Sequence, residues 1–348
     1  MKIGVIPETW LERVGLWLGL VPIPLLETQL AATLARSITA GVGLGLFEAL
    51  EDGPLTAGEV AARCGVDAVA AALLLDALAA CGYLAISRGR YELKAQSRKW
   101  LLAGSPNSIR EMILLQSLEW DWLAQLNAFV RSGQPIDFHA AMSDADRDLY
   151  HRAMRDLAGI GGREVGRRTP VPRGARLMVD LGGSHGHFAA EICRRHPGLR
   201  AEVLDLPEAV RWAAPLLAAE GMGDRVVHVA GDVLAADLGT ERYDLIFMSN
   251  LAHHLDSAEN QALAQRAARA LRPGGVFVIQ EPLRPVRPER RGQAGTLLGL
   301  YFALQSRPNV HTWTAAEMAD WQARAGLRPA RPNQLHRALG WVQQAARR

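Results

Sequence analysis

The sequence predicts an α/β domain in the C-terminal half of the chain, preceded by a mostly α-helical region that contains a winged helix. Two observations support this prediction. From Glu27 to about Trp100 the chain is rich in Ala and Leu, and apolar residues recur there at spacings of three and four. Beyond Pro170, short apolar runs rich in β-formers alternate with helical stretches. Such alternation is typical of a parallel sheet covered by helices on both faces.

Length and composition narrow the possible functions. The 348 residues predict about two domains. There are 39 Lys and Arg against 36 Asp and Glu, a balance that does not indicate a dedicated nucleic-acid binder. Cys64, Cys81 and Cys193 show neither CxxC spacing nor a disulfide framework. We therefore expect a reducing compartment, the cytoplasm, and no bound metal.

An apolar run at residues 14–26 is the one candidate for a membrane segment. It is too short to span a bilayer, and two prolines interrupt it. We expect no membrane insertion, and instead an amphipathic arm. This arm would bury Leu16, Trp17 and Leu20 against another part of the protein or a second subunit, with a membrane-surface anchor as the alternative.

A winged helix is predicted after this arm. Thr56 and Glu59 form a capping-box pattern for a first helix, and residues 70–81 predict a second. Residues 82–86 and 90–93 predict two short strands around a tight turn. A DNA-recognition helix needs basic and polar side chains, but the second helix has two Asp and no Lys or Arg in DAVAAALLLDALAAC. We therefore expect protein–protein packing and no nucleic acid.

A glycine-rich loop follows the first predicted strand of the α/β domain. The strand Leu177–Leu181 runs into GGSHG, which contains Gly182, Gly183 and Gly186, and a helix begins near His187. Ligands of open α/β sheets bind beyond the carboxyl ends of the strands. Ser and His replace the second and third glycines of a dinucleotide fingerprint, and the Gly-Lys-Ser/Thr of a P-loop is absent. Neither phosphate-binding pattern fits.

Acidic residues lie at the ends of three successive strands. Asp180 lies at the end of the first, Asp205 ends the second, and Asp232 follows the third. Asp205 can accept hydrogen bonds from both hydroxyls of a ribose, and Asp232 is well placed for an adenine amino group. Three acids without a phosphate-binding Lys suit a cationic adenosine cofactor, and S-adenosylmethionine is such a cofactor.

Five segments in order, DLGGSHG, LDLPEAV, AGDVL, FMSNLAHHLD and LRPGGVFVIQE, resemble the S-adenosylmethionine-dependent O-methyltransferases of small molecules. That family includes caffeic-acid and acetylserotonin enzymes and bacterial enzymes acting on polyketides and pigments. Its members join a winged-helix dimerisation domain to a Rossmann-like class I methyltransferase domain. The resemblance implies an arm and dimerisation domain at residues 1–105, a helical linker contributing to the substrate pocket at 106–168, and the methyltransferase domain at 169–348.

The resemblance also implies a cofactor site. Gly182 and its neighbours would contact the methionine part, Asp205 the ribose, and Asp232 with the Val233 backbone the adenine. Ser249 stands where many plant members have a Lys that contacts the cofactor. S-adenosylhomocysteine would be the product. The full implied set is Asp180, Gly182, Gly183, Gly186, Asp205, Leu206, Asp232, Val233 and Ser249.

A general base is expected because methyl transfer from a sulfonium needs an oxygen nucleophile richer in electrons than a neutral hydroxyl. The resemblance assigns this role to His253, and to Glu281 the role of holding the second imidazole nitrogen. The family's second acid beside the base is missing, since residues 310–314 read VHTWT. His254 stands where the plant enzymes usually have Asp.

We expect a homodimer that methylates a hydroxyl of a small aromatic natural product or pigment. Its pocket would be closed by the partner's N-terminal arm. The alternatives are N- or C-methyl transfer on the same scaffold, a protein that binds S-adenosylmethionine without methyl transfer, and a transcriptional regulator. The expected lining residues are Trp120, Tyr150, Met154, Leu298 and Phe302.

Overall fold

The structure is a computed structural model that describes residues 3–138, 142–289, 292–336 and 340–348. The chain forms two compact units, one reaching Leu118 and one beginning at Glu119. This boundary lies inside the helix Arg110–Leu123. The division predicted at residues 105 and 168 remains a prediction.

The first unit is helical with one β-hairpin. Its core is formed by buried apolar side chains that include Val42, Phe47, Leu75 and Leu84. The elements are α1 (Trp10–Trp17), α2 (Ile23–Leu25), a π-helical turn (Leu26–Leu30), α3 (Ala31–Gly43), α4 (Leu46–Ala49), α5 (Ala57–Cys64), α6 (Ala68–Ala80), β1 (Leu84–Ser87), β2 (Arg90–Leu93), α7 (Ala95–Trp100) and α8 (Arg110–Leu123).

The elements predicted for the winged helix are present. The Thr56 side chain accepts a hydrogen bond from the Glu59 backbone, and the Glu59 carboxylate accepts one from the Thr56 backbone, as a capping box requires. Helix α6 begins two residues earlier than predicted, because Asp67 caps it by accepting from the Ala70 N–H. Strands β1 and β2 pair antiparallel around a tight turn.

The predicted arm is only partly buried within one chain. Leu16 is half-buried, but Trp17 is 82% exposed and Leu20 is 74% exposed. The prediction that Trp17 and Leu20 are buried against their own chain is therefore wrong. Their burial against a second subunit remains a prediction. No helix within the described ranges is long and apolar enough to cross a membrane.

The second unit is built on an eight-stranded sheet with strand order β5-β4-β3-β6-β7-β10-β8, and β9 pairs with β10. Its elements, after the end of α8, are α9 (Leu126–Ser132), α10 (Asp144–Arg168), β3 (Leu177–Leu181), α11 (His187–Arg195), β4 (Arg200–Asp205), α12 (Pro207–Ala219), β5 (Val226–Ala230), β6 (Tyr243–Ser249), α13 (Ser257–Ala270), β7 (Leu271–Glu281), α14 (Gln293–Gln305), α15 (Ala315–Arg324), β8 (Arg328–Pro329), β9 (Asn333–Gln334) and β10 (Val342–Arg347).

Strands β3 to β7 form the predicted parallel sheet. Successive side chains of a strand point to opposite faces, and here both faces are buried. Met178 belongs to one apolar cluster and Val179 to the other. Beyond these strands one edge of the sheet is antiparallel, since β10 pairs antiparallel with β7, and β8 and β9 pair antiparallel with β10.

Candidate active site

A cavity of about 730 Å³ lies at the carboxyl ends of the parallel strands, within the second unit. Strand β3 lies between β4 and β6, where the strand order reverses, and ligands of open α/β sheets bind at this point. Ten of the residues expected in the cofactor or substrate site line this cavity. They are Asp180, Gly182, Gly183, Asp205, Leu206, Asp232, Val233 and Ser249 from the expected cofactor set, and Tyr150 and Met154 from the expected substrate set.

The glycine loop after β3 requires glycine at its first two positions. Gly182 has φ +67°, a left-handed conformation that other residues rarely adopt. A Cβ on Gly183 would lie 2.6 Å from Cγ of Asp180, closer than atoms can approach. Gly186 precedes the first residue of α11 and does not line the cavity.

Ser184 is held in a left-handed backbone conformation by three neighbours. Its φ is +40°, which costs a non-glycine residue free energy. Its N–H donates to Asp205 Oδ2 at 2.8 Å, and its carbonyl accepts from His228 Nε2 at 2.7 Å. Its hydroxyl lies 2.8 Å from His151 Nδ1. These contacts stabilise the loop at a position where glycine would adopt the same conformation without strain.

Asp205 retains the capacity to bind a ligand. Its two oxygens accept from the backbone N–H groups of Ser184 and Leu206, each at 2.8 Å. Burial raises the pKa of this carboxyl, and the two hydrogen bonds partly oppose that effect. Because a carboxylate has about four lone-pair positions, two remain for hydroxyl donors. Asp232 likewise accepts one backbone N–H, from Leu234 at 2.8 Å.

Asp180 is the most unusual carboxyl of the cavity. It is 1% exposed, and neither of its oxygens has a hydrogen-bond partner in the part of the chain that the structure describes. Burial and the charge of Asp205 raise its pKa well above the usual value, although the nearby Ala189 N–H favours the anion. A buried carboxyl without a partner is costly, so this position is suited to a cationic ligand group.

His253 and Glu281 form a buried pair beside the cavity. His253 lies in the short 3-10 turn Ala252–His254 after β6, and Glu281 ends β7. Glu281 Oε2 is 2.7 Å from His253 Nδ1, and Glu281 Oε1 accepts the Ala252 N–H at 2.7 Å. The expected contact between the two residues is therefore confirmed. It places the Nδ1 proton toward the carboxylate and leaves Nε2 with the lone pair of the neutral ring.

The surroundings of this pair were not predicted. The ring of Phe302 stacks on His253, with centroids 4.3 Å apart, and Phe302 does not line the cavity. Trp313 donates its indole N–H to the Ala252 carbonyl at 2.8 Å, from the segment where a second acid was expected. His254 lines the cavity, whereas His253 and Glu281 do not. Of these two adjacent histidines, the one that lines the cavity is therefore not the one to which the family resemblance assigns the base.

Other expected substrate contacts lie elsewhere. Trp120 and Leu298 are half-buried and do not line the cavity, so their role remains a prediction, as does that of Phe302. The burial of Tyr150, with the negative charges of Asp205 and Glu119, raises its pKa to about 12. Tyr150 is therefore a neutral hydroxyl in the site.

Several residues of the cavity were missed. His185 could have been found, since it lies inside GGSHG. His151 and Arg147, on the long helix α10, and Arg307, after α14, carry no local signal. The missed lining residues include Gln134, Arg147, His151, His185, Phe188, Trp212, Gln305, Arg307 and Trp341.

The strand order, the glycine loop and the acids at successive strand ends define a class I methyltransferase fold and site. Residues 124–328 match the family of the O-methyltransferase domain, and residues 26–103 match the O-methyltransferase dimerisation domain. The first match covers more than half of the chain. The chain therefore belongs to the S-adenosylmethionine-dependent O-methyltransferases.

Named relatives agree with this assignment. The chain is 30% identical over 325 residues to 3-hydroxy-5-methyl-1-naphthoate 3-O-methyltransferase of Streptomyces sahachiroi, covering 88% of this chain and 90% of that one. It is 29% identical over 310 residues to rat (Rattus norvegicus) acetylserotonin O-methyltransferase, covering 84% and 70%. The crystal structure of human N-acetylserotonin methyltransferase with S-adenosylmethionine superposes with a TM-score of 0.84 over 99% of both chains, at 22% identity, and so has the same fold.

Proposed function

We propose that this enzyme transfers the methyl group of S-adenosylmethionine to a hydroxyl of a small aromatic molecule. The observation that carries this proposal is the buried His253–Glu281 pair at the cavity edge, since a hydroxyl acceptor needs a proton acceptor. The named bacterial relative acts on a hydroxynaphthoate, which is consistent with an aromatic hydroxyl.

The cavity fits the cofactor by its chemistry. The unpartnered carboxyl of Asp180 suits a cation, and Asp205 has free lone pairs for the ribose hydroxyls. Asp232 and Val233 would bind the adenine, and the glycine loop allows close approach of the methionine part. When bound, the cofactor supplies an electrophilic methyl group on a sulfonium sulfur.

The base is proposed to act as the new bond forms. A phenol near pKa 10 and an imidazole near 6.5 differ by about 3.5 units, so full prior proton transfer would cost roughly 5 kcal/mol. A proton that moves during the C–O bond formation avoids most of this cost. Glu281 fixes the ring through Nδ1 and stabilises its charged form.

His254 is the second candidate for the proton acceptor. It lines the cavity, and its backbone is held by Arg307, whose guanidinium donates to the His254 carbonyl at 3.1 Å. The carboxylate contact favours His253, because an oriented imidazole with a stabilised cation is the better base.

The enzyme is proposed to act as a homodimer. The N-terminal part matches a dimerisation domain, and α1 with the following turn exposes large apolar side chains. Monomeric soluble proteins seldom expose such a group without a partner. The exposed set is Trp10, Leu11, Trp17, Leu18 and Leu20.

Mass spectrometry with matched acceptors would test the reaction. The full chain and S-adenosylmethionine would be incubated with naphthols, the corresponding naphthylamines and ring-activated compounds without either group. A mass gain of one CH₂ on the naphthols, located on oxygen by fragmentation, is expected. Transfer to the amines or to carbon alone would assign the enzyme to one of the alternative classes, and no transfer to any acceptor, native metabolite extracts included, would favour a binding protein.

A further inference from the structure

A row of polar side chains crosses the sheet and ends at the cavity. It consists of Asn333 on β9, Gln343 on β10, Gln280 on β7 and Ser249 on β6, and each residue is paired in register with the next. Gln280 and Gln343 are 0% and 1% exposed, and Ser249 lines the cavity. Polar groups buried this deeply need hydrogen-bond partners, so the partners of each member decide what the row can do.

The hydrogen bonds of the row are continuous. Asn333 Nδ2 donates to Gln343 Oε1 at 3.4 Å, and Gln343 Nε2 donates to Gln280 Oε1 at 3.0 Å. Gln280 Nε2 in turn donates to Ser249 Oγ at 2.9 Å. Amide groups can be turned over in place, so the direction of these bonds needs an independent argument.

Two contacts outside the row fix that direction. The Thr169 hydroxyl donates its only hydrogen to the Val165 carbonyl at 2.8 Å, so it can only accept from Gln343, whose Nε2 lies at 2.9 Å. Arg168 has no acceptor atom and donates to Asn333 Oδ1 at 2.9 Å, so the Asn333 amide nitrogen faces Gln343. Both contacts give the Gln343 amide the same orientation.

This orientation determines where the Ser249 hydrogen can go. Because Gln343 Nε2 faces Gln280 Oε1, Gln280 presents its N–H to Ser249, and Ser249 Oγ accepts. The hydroxyl keeps its own hydrogen, and no group in the described part of the chain accepts it. Ser249 is therefore a hydrogen-bond donor at the cavity wall.

We infer that Gln280 is a positioning residue, whose amide holds the Ser249 hydroxyl as a donor to an oxygen of a bound ligand. Ser249 ends β6, on the opposite side of β3 from Asp205, and so lies away from the acids that would hold the adenosine. The carboxylate of the cofactor and the hydroxyl of the acceptor both offer an oxygen that accepts hydrogen bonds. The inference rests on the proposed function for the identity of these two ligands.

Two measurements would identify the oxygen. Calorimetry with S-adenosylhomocysteine reports on the cofactor, and the KM of a naphthol that is methylated, at saturating cofactor, reports on the acceptor. Ser249→Ala should weaken binding by about 10–100-fold if the oxygen is a carboxylate, and by about 2–10-fold if it is a neutral hydroxyl. A loss confined to S-adenosylhomocysteine assigns the donor to the cofactor, and a loss confined to the naphthol assigns it to the acceptor. Unchanged values for both ligands would overturn the inference.

Gln280→Met tests the positioning role, because it removes the amide at nearly the same side-chain length. It should give part of the Ser249→Ala loss, for the same ligand. In the Ser249→Ala background it should have no further effect on that ligand. An equal loss in both backgrounds, or no loss in Gln280→Met, would show that Gln280 does not act through Ser249 and would overturn the inference.

Ser257→Ala is the matched control. Ser257 also accepts a hydrogen bond from a side-chain N–H, that of Trp321 at 3.2 Å, but it does not line the cavity, so both values should remain unchanged. If Gln280→Met fails to fold, wild-type values in Ser249→Ala would still overturn the inference. Absence of methyl transfer to every acceptor would remove the proposed function, and calorimetry alone would then decide this inference.

Discussion

Glu281 contacts two consecutive residues of the turn after β6, with one carboxylate oxygen on His253 Nδ1 and the other on the Ala252 N–H, each at 2.7 Å. Glu281 is 1% exposed and His253 is 3% exposed, so water does not compete for these contacts. Trp313 also contacts this turn, since its indole N–H donates to the Ala252 carbonyl. The imidazole is therefore oriented by one acid and one tryptophan, without the second acid that the family resemblance implied.

Removing the imidazole of His253 should lower turnover and leave the affinity for the cofactor unchanged. His253→Ala should lower the single-turnover rate by about 10²–10⁴-fold, the usual contribution of a positioned base. The affinity for S-adenosylhomocysteine should remain unchanged, because His253 is proposed to act on the acceptor hydroxyl and is not one of the residues expected to hold the cofactor. With a phenol as acceptor, the loss should shrink at high pH, where solvent performs the ionisation.

His254→Ala is the matched control, since it removes the neighbouring imidazole. It should retain most of the activity. The reverse pattern, a severe loss in His254→Ala and a normal rate in His253→Ala, would make His254 the base. Normal rates in both variants would show that positioning alone drives the transfer.

Neutralising the carboxylate should have a smaller effect. Glu281→Gln keeps an oxygen for the Ala252 N–H but loses the charge that stabilises the imidazolium. We expect a loss of turnover parallel to that of His253→Ala but smaller, with the KM for the cofactor unchanged. A double variant no slower than His253→Ala alone would place both residues in one function, whereas additive losses would separate them.

Asp205 should contribute to cofactor affinity. Asp205→Ala removes a charged acceptor for the ribose hydroxyls and should weaken binding of S-adenosylhomocysteine by about 1.5–3 kcal/mol. Part of this loss would come from Ser184, whose strained backbone loses its N–H partner. Calorimetry on the folded variant would measure it, with Asp224→Ala, an exposed residue before β5, as the control. Wild-type affinity in Asp205→Ala would remove Asp205 from the site.

Glu220 should make the free energy of unfolding decrease as the pH falls through the acid range. Burial opposes its charge, but hydrogen bonds from His187 and Arg194 and the charge of Arg155 outweigh burial and lower its pKa to about 2. A carboxyl with a lower pKa in the folded protein than in the unfolded chain stabilises the folded state. This stabilisation is complete above the pKa of the unfolded chain, and it is lost as the pH falls through the pKa of the folded protein. The pH window is therefore from about 4.5 down to about 2.

Urea unfolding between pH 3 and pH 7 would measure this effect. Glu220→Gln should be less stable than the wild type by an amount of the order of 2 kcal/mol at pH 7, and the difference should narrow below pH 4.5. Glu208→Gln, an exposed acid in the first turn of α12, at the opposite end of that helix from Glu220, provides the control. A constant difference in stability across the whole pH range would show that the pKa of Glu220 is not lowered by folding.

The central parallel strands were predictable because they are runs of apolar residues buried on both faces, as in β6, whereas the edge strand β5 is apolar but partly exposed. Strand β10 was not predictable in this way, since it reads VQQAAR. Its glutamines are buried, and their amide nitrogens donate to distant partners: Gln343 donates to Gln280 and Thr169, and Gln344 donates to Ala330. A strand whose buried residues are polar has no hydrophobic pattern, and only the tertiary fold reveals it.

The residues of the candidate site also fall into two groups, those that the local sequence predicts and those that only the tertiary fold reveals. Asp180, Asp205 and Asp232 were predictable because they follow strands that end at one edge of the sheet. The contact of His151 with Ser184 joins residues that are 33 positions apart on different elements, so no local sequence pattern predicts it. The base and its acid were predicted only through the family resemblance, since a histidine after a strand has no chemical signature of its own.

The exposed N-terminal arm leads to the prediction of a dimer. Light scattering should give twice the chain mass of 37.8 kDa at micromolar concentration, because permanent interfaces often bury more than about 2,000 Å² of largely apolar surface. Trp17→Glu places a charge on a side chain that is 82% exposed in one chain, and it should shift the equilibrium to monomer. Val286→Glu, an equally exposed apolar residue of the second unit, should leave the dimer intact. A wild-type monomer with full activity, or an unaffected dimer in Trp17→Glu, would exclude the arm from the interface.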